Sequence, residues 1–217
     1  MGDFVKFIEG AGLSAWIIIA LGGVALVIIL ERARSLFMKI KFTGEEFVLK
    51  MESLILSNKV DEALALSGVH RGEPLAQVTK AVLERADRDD RSIHQAHELK
   101  LGEVLAPLGS RIGYLLMIAN VSTLVGLLGT ITGLIMSFEA VSFADPGQKQ
   151  ILLSQGISIA MNSTALGLSV AIPVMISYSI LNSRQNRLAD HIVNQSGRVV
   201  DLLTNRPYQA LKERAVI

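Results

Sequence analysis

The sequence contains no cysteine, so it forms no disulfide and offers no thiolate to a metal. Charge of either sign is nearly balanced. Lys and Arg number 21 against 20 Asp and Glu, and a net charge of +1 gives no electrostatic case for nucleic acid as a partner. Neither GxxxxGK[ST] nor GxGxxG occurs, so nothing cradles a nucleotide phosphate, and any energy the protein uses is not ATP bound by this chain. The four histidines are His70, His94, His97 and His191; His94 and His97 share a helical face, but no acidic or cysteine ligand set surrounds them. No Ser/His/Asp grouping follows from spacing. The chain is therefore expected to be no enzyme and to hold no metal and no cofactor. Period-two strand patterns and internal repeats are also absent.

What the sequence has instead is apolar residue, in blocks. Half of it is hydrophobic and 19% is charged, against about a quarter in an average soluble domain. Leu13 to Leu30 carries no charge and is followed by Glu31 and Arg32; Ile112 to Phe138 is uncharged and ends at Glu139; Ile151 to Ser183 is uncharged and ends at Arg184. Eighteen helical residues reach roughly 27 Å, enough to cross a hydrocarbon core. The first block is long for a signal-peptide core and no A-x-A site follows it, so it is read as a retained span. Basic residues set the orientation. Arg32, Arg34, Lys39 and Lys41 follow span one, Arg111 precedes span two, and Arg184 and Arg187 follow span three. The other side has only Lys6 and Lys149. The positive-inside rule places residues 1–12 outside, 31–111 in the cytoplasm, the loop 139–150 outside and the helix 184–217 in the cytoplasm.

The segment 31–111 reads as helical. Glu45 through Leu56 has apolar residues at three-to-four spacing, and Val60 to Leu66 repeats this after Asn58-Lys59. Pro74 suits the first turn of a helix running Leu75 to Ala86, and Ser92 is placed to cap another that leads through Leu99 and Leu105. The mixed-sign run Glu84 to Arg91 reads as a solvated helix end or turn. The fold class is thus all-α: a polytopic membrane protein with three transmembrane helices, 13–30, 112–138 and 151–183, and a helical cytoplasmic domain.

The spans themselves carry a stripe of small and hydroxylated residues. In the second, Ala119, Thr123, Gly126, Thr130, Gly133 and Ser137 recur at steps of three and four; in the third, Ala160, Thr164, Gly167 and Ala171 do so, flanked by Asn162, Ser163 and Ser169. Pro173 follows, where a proline bends a helix or frees a carbonyl. Two readings compete. Gly126, Gly129, Gly133, Gly167 and Ala171, with Pro173, serve close helix packing. Thr130 and Thr164, with Asn162, Ser163 and Ser137, line an ion pathway. An ion path through a bilayer usually needs an ionisable group, and the three spans contain none; Glu139 and Asp145 sit at the outer edge. If protons pass, another subunit supplies the titrating carboxylate.

The segment Ile118-Ala119-Asn120-Val121-Ser122-Thr123-Leu124-Val125-Gly126-Leu127-Leu128-Gly129-Thr130-Ile131-Thr132-Gly133-Leu134-Ile135, with Phe138, closely resembles the second-span signature of the ExbB/TolQ/MotA proton-channel family. Gly156-Ile157 through Ser163-Thr164-Ala165-Leu166-Gly167-Leu168-Ser169-Val170-Ala171-Ile172-Pro173 resembles the third-span signature, and Glu31-Arg32 fits as well. By size the chain is similar to the ExbB/TolQ branch. The resemblance implies a homopentameric ring, of about five copies, in a bacterial inner membrane, with the N-terminus periplasmic and the C-terminus cytoplasmic. It implies that the second and third helices line a central pore, with Thr130 and Thr164 as pore threonines. The implied partner is a dimer of single-span subunits like ExbD, TolR or MotB, each bearing a membrane aspartate. Ion flow would then drive mechanical work. Two positions depart from the pattern: Ile159 stands where many relatives have glutamate, and Thr123 where a proline is common. The first leaves proton versus sodium open. The load is open too, whether import, envelope maintenance, gliding or swimming. The alternatives from other classes are a non-conducting membrane scaffold packed through the same small residues, and a solute transporter subunit. The latter is disfavoured by the lack of an intramembrane charge or inverted repeat.

Overall fold

The computed structural model describes residues 13–39 and 45–205. The segment 1–12 with Lys6, the basic residue Lys41 and the end of the chain from 206 onward lie outside the described residues. All regular structure among the described residues is helical: α1 Leu13–Ala33, a π-helical turn Arg34–Lys39, α2 Glu45–Leu56, α3 Val60–Val69, α4 Pro74–Leu83, α5 Asp90–Gly109, α6 Ile112–Phe143 and α7 Pro146–Thr204. Among the described residues, three helical stretches are long and apolar enough to cross a membrane. Contacts gather the described residues into two units. One joins the chain up to Ala33 with Arg111–Leu181; the other joins Arg34–Ser110 with the chain from Asn182 onward.

The second unit is built as a small soluble core. Phe47, Val48, Met51 and Ile55 form the inner stripe of α2, and they pack with Ala63 of α3, Leu75, Ala76, Val82 and Leu83 of α4, Ile93 of α5 and Val199, Val200 and Leu203 of α7. The α2–α3 corner is made by Asn58, whose φ of 61° is left-handed, a conformation asparagine tolerates better than most residues. With it, the Lys59 amide donates to Leu54 O at 2.9 Å and the Asn58 amide to Ile55 O at 3.0 Å, a Schellman closure of α2. Pro74 occupies the first position of α4, where its missing amide costs nothing. That helix stops at Leu83, short of Ala86, because Glu84 to Asp87 form turns. The residue expected to cap α5, Ser92, lies inside its first turn instead. Asp89 is the cap residue, and Ser92 Oγ donates to its Oδ1 at 2.6 Å, holding the exposed carboxyl below its usual pKa.

Helix α7 runs without interruption through Ser183 and Arg184, where the apolar block ends. Charge there ends the apolar run but not the helix, because the three-to-four spacing persists: Leu181, Leu188, Ile192, Ser196, Val199 and Leu203 are all buried. Ser196 is fully buried and pairs with half-buried His97 of α5, Nε2 to Oγ at 2.8 Å. Burial of the imidazole, reinforced by neighbouring His94, lowers the His97 pKa from its ordinary 6.5, while Glu98 opposes the shift.

A lowered histidine pKa means the unfolded chain binds the proton more readily, so this contact stabilises fully above pH 6.5. The stabilisation is expected to fall as pH drops from 6.5 towards the depressed folded value. Thermal denaturation of the full chain between pH 7.5 and 5 reads it, and His97→Gln should flatten the part of that slope due to this residue.

Candidate functional site

The first unit is organised by the crossing of α6 and α7. A Cβ built on Gly126 meets Ser163 O at 3.1 Å and the Cα atoms of Thr164 and Gly167 at 3.3 Å; one built on Gly133 meets Ala160 Cα at 3.3 Å; one built on Gly167 meets Ser122 O at 2.7 Å. Numbers rise along one helix as they fall along the other, so the two run antiparallel with their backbones nearly in contact. Only residues without bulk permit this. Two serines fill the remaining gaps. Ser163 occupies the space over Gly129 and Ser137 the space over Gly156; both serines are buried. The third partner is α1. Its Ser14 Oγ shares a 2.8 Å hydrogen bond with Ser163 Oγ, and its Ala15 and Ile18 pack on Leu166, with Val125 and Val170 alongside.

The buried line on α6 is Ile112, Leu115, Ile118, Ala119, Ser122, Gly126, Gly129, Gly133 and Ser137. The stripe drawn from spacing is therefore shifted. Ala119, Gly126, Gly133 and Ser137 are inside it, while Thr123 and Thr130 lie half-buried at its edge. On α7, Ala160, Ser163, Gly167 and Ala171 are buried; Asn162 and Thr164 are half-buried at the edge, and Pro173 is exposed within an unbroken helix. Spacing alone missed Gly156 and Ser122, although each continues the small-residue step by one turn. Ser14 had no signal at all, because its partner lies 149 residues away.

Two of the edge threonines, Thr130 and Thr164, donate to adjacent carbonyls of α6. Thr164 Oγ1 donates across the seam to Gly126 O at 3.2 Å. In a regular helix the Thr130 amide donates to that same oxygen, and Thr130 Oγ1 donates to Leu127 O at 2.6 Å. Each hydroxyl thus commits its only proton to a carbonyl. What it has left is acceptor lone pairs, and acceptors are what water, hydronium, a cation or a protonated carboxyl requires. No Asp, Glu, Lys or Arg lies within 112–138 or 151–183. At the start of α6, Arg111 holds a left-handed φ of 64°, and its Nη1 reaches both Glu31 carboxylate oxygens at 2.8 Å. Glu31 also meets Arg32 at 3.6 Å. Among the described residues, no three metal-ligating side chains come together.

Residues 70–194 match the MotA/TolQ/ExbB proton channel family. Over 94 residues the chain is 34% identical to the Tol-Pal system protein TolQ of Haemophilus influenzae, covering 43% of this chain and 41% of TolQ. It therefore spans less than half the length of that relative. An ExbB homolog of Methanothermobacter thermautotrophicus is 24% identical over 212 residues, covering 97% of this chain and 72% of that protein. The fold is similar to that in the structure of C. jejuni MotAB, with a TM-score of 0.62 at 16% identity over 94% of this chain and 83% of the other.

Replacing Gly129 by Ala places a methyl group against the Ser163 and Ser14 side chains, with Ser163 Cβ and Ser14 Oγ each 2.7 Å from the new atom. The expected cost is about 1–3 kcal/mol of overpacking, read as a lowered thermal midpoint in detergent. Adding Ser163→Gly should recover much of it, and Gly23→Ala, with nothing within 4 Å, should be neutral.

Proposed function

Because this chain belongs to the MotA/TolQ/ExbB proton channel family, with ExbB/TolQ-like sequence, we propose that it is the wall-forming ring subunit of an ion-driven membrane motor. It couples proton or sodium flow across the inner membrane to mechanical work through a single-span partner that carries an aspartate. The observation that carries this reading is that the Thr164 and Thr130 hydroxyls donate to the adjacent carbonyls of Gly126 and Leu127. Two hydroxyls present acceptors at one level of a membrane segment that has no acid of its own. A carrier carboxyl that alternates between charged and protonated forms needs acceptors at its protonated stage, and a wall with no competing charge does not trap it. The supporting feature is the apolar surface of α6. Leu124, Leu127, Leu128, Ile131 and Ile135 are exposed on the single chain, as suits a helix that meets lipid and further copies. The homopentameric ring, the periplasmic N-terminus with spans 13–30, 112–138 and 151–183, and the ExbD, TolR or MotB-like partner dimer complete the proposal. In it Asn162 lies along the ion path beside the threonines. Ser163 and Ser137 contribute by setting the helix distance, since their side chains are buried in the seam.

Thr164→Val keeps the side-chain shape and removes the hydroxyl. With the partner present, ion-dependent work should fall about tenfold or more, the equivalent of one lost hydrogen bond to a charged group, while assembly persists. Thr164→Ser should retain most activity. Wild-type activity in Thr164→Val would sink the pathway assignment and leave a non-conducting scaffold as the better reading.

A further inference from the structure

The helical unit formed by Arg34–Ser110 with the chain from Asn182 has an open cleft of about 410 Å³ between α3, α4 and α5. Three cations reach it from three different elements: Arg71 from the turn after α3, Lys80 from α4 and Lys100 from α5. Among the described residues, Glu84 is the single carboxylate in the lining, so they give the cleft a formal surplus of two positive charges. The chain as a whole has a surplus of only one. Among the described residues, the Arg71 guanidinium has no carboxylate within ion-pair distance. Its backbone carbonyl accepts Gln77 Nε2 at 3.1 Å, which fixes the turn beside the cleft. The two lysines make exchangeable surface pairs, Lys80 to Glu84 at 3.5 Å and Lys100 to Glu103 at 2.9 Å. Such pairs contribute less than about 1 kcal/mol each, so an incoming anion of higher charge displaces them readily.

We propose that this cleft binds a compact phosphate-bearing anion through Arg71, Lys80 and Lys100. A planar guanidinium and two ammonium groups set around one space match the tetrahedral, multiply charged oxygens of a phosphate better than a lone carboxylate. No aromatic ring among the described residues lines the cleft, so they provide no stacking platform for a nucleobase. Its remaining walls include Ala76 and Ala81, which leave room for a short carbon skeleton. The site is independent of the ion-path reading and shares no residue with it.

Isothermal titration of inorganic pyrophosphate into the purified full chain, at low ionic strength in an uncharged detergent, tests this directly. Saturable binding is expected. The double variant Arg71→Gln with Lys100→Gln should weaken it at least tenfold, while Lys59→Gln, outside the lining, should leave it unchanged. Glu84→Gln should tighten binding severalfold, a gain that misfolding does not produce. Repeating the titration in phosphatidylcholine and phosphatidylglycerol nanodiscs separates the sources of phosphate. Weaker pyrophosphate binding in phosphatidylglycerol identifies the lipid headgroup as occupant, and equal binding identifies a soluble anion; either supports the site. Absence of saturable binding, an affinity unchanged in the double variant, or no gain with Glu84→Gln would overturn it.

Discussion

Helices in a bilayer gain little from hiding apolar surface from one another, because lipid tails are as apolar as leucine. The packing of this chain's first unit must therefore come from close van der Waals contact, and α6 and α7 reach it by leaving bulk out of their seam. Gly126 lies against Thr164 and Gly167, Gly133 lies against Ala160, and Ser163 and Ser137 fill the two gaps that glycine leaves over Gly129 and Gly156. Thr164 then finds its partner across the crossing, on Gly126 O, and Ser163 finds its own on α1, at Ser14. Everything proposed for the threonines rests on this approach. A wider crossing would release Thr164 from the Gly126 carbonyl and free its proton to donate.

The same economy lets packing and the proposed ion path share one stripe. Residues at the centre of the seam are small because backbones meet there. Residues one position away, Thr123, Thr130, Asn162 and Thr164, are polar and only half-buried, because the edge is where the chain still has a free surface. Packing and ion-path readings of such a stripe are therefore not rivals for the same residues. They divide it into a centre and an edge.

Much of this was legible in the sequence, for identifiable reasons. Long uncharged blocks bounded by Glu31, Glu139 and Arg184 mark apolar helices because charge is costly in hydrocarbon. The same charges misplace helix ends: α6 continues to Phe143 and α7 through Arg184, since helical hydrogen bonding is indifferent to where apolar solvent stops. Local spacing found Gly126, Gly133 and Gly167 but put Thr130 in the centre of the stripe. A helix has 3.6 residues per turn, and steps of three and four drift around it unless their order is checked against a partner. Contacts between distant segments, Ser14 with Ser163 or Glu31 with Arg111, leave no trace in spacing because they arise only when three helices assemble. The cap of α5 was misread for a simpler reason: Asp89 and Ser92 both carry capping chemistry, and only the backbone distinguishes them.

In the proposed division of labour this chain offers acceptors along an ion path but no group that carries the proton. Proton flux into liposomes reconstituted with the chain alone, then with an aspartate-bearing single-span partner, measures that division of labour. The chain alone is expected to give flux no greater than in empty liposomes, and the partner to raise it greatly. Equal flux with and without the partner would contradict that division.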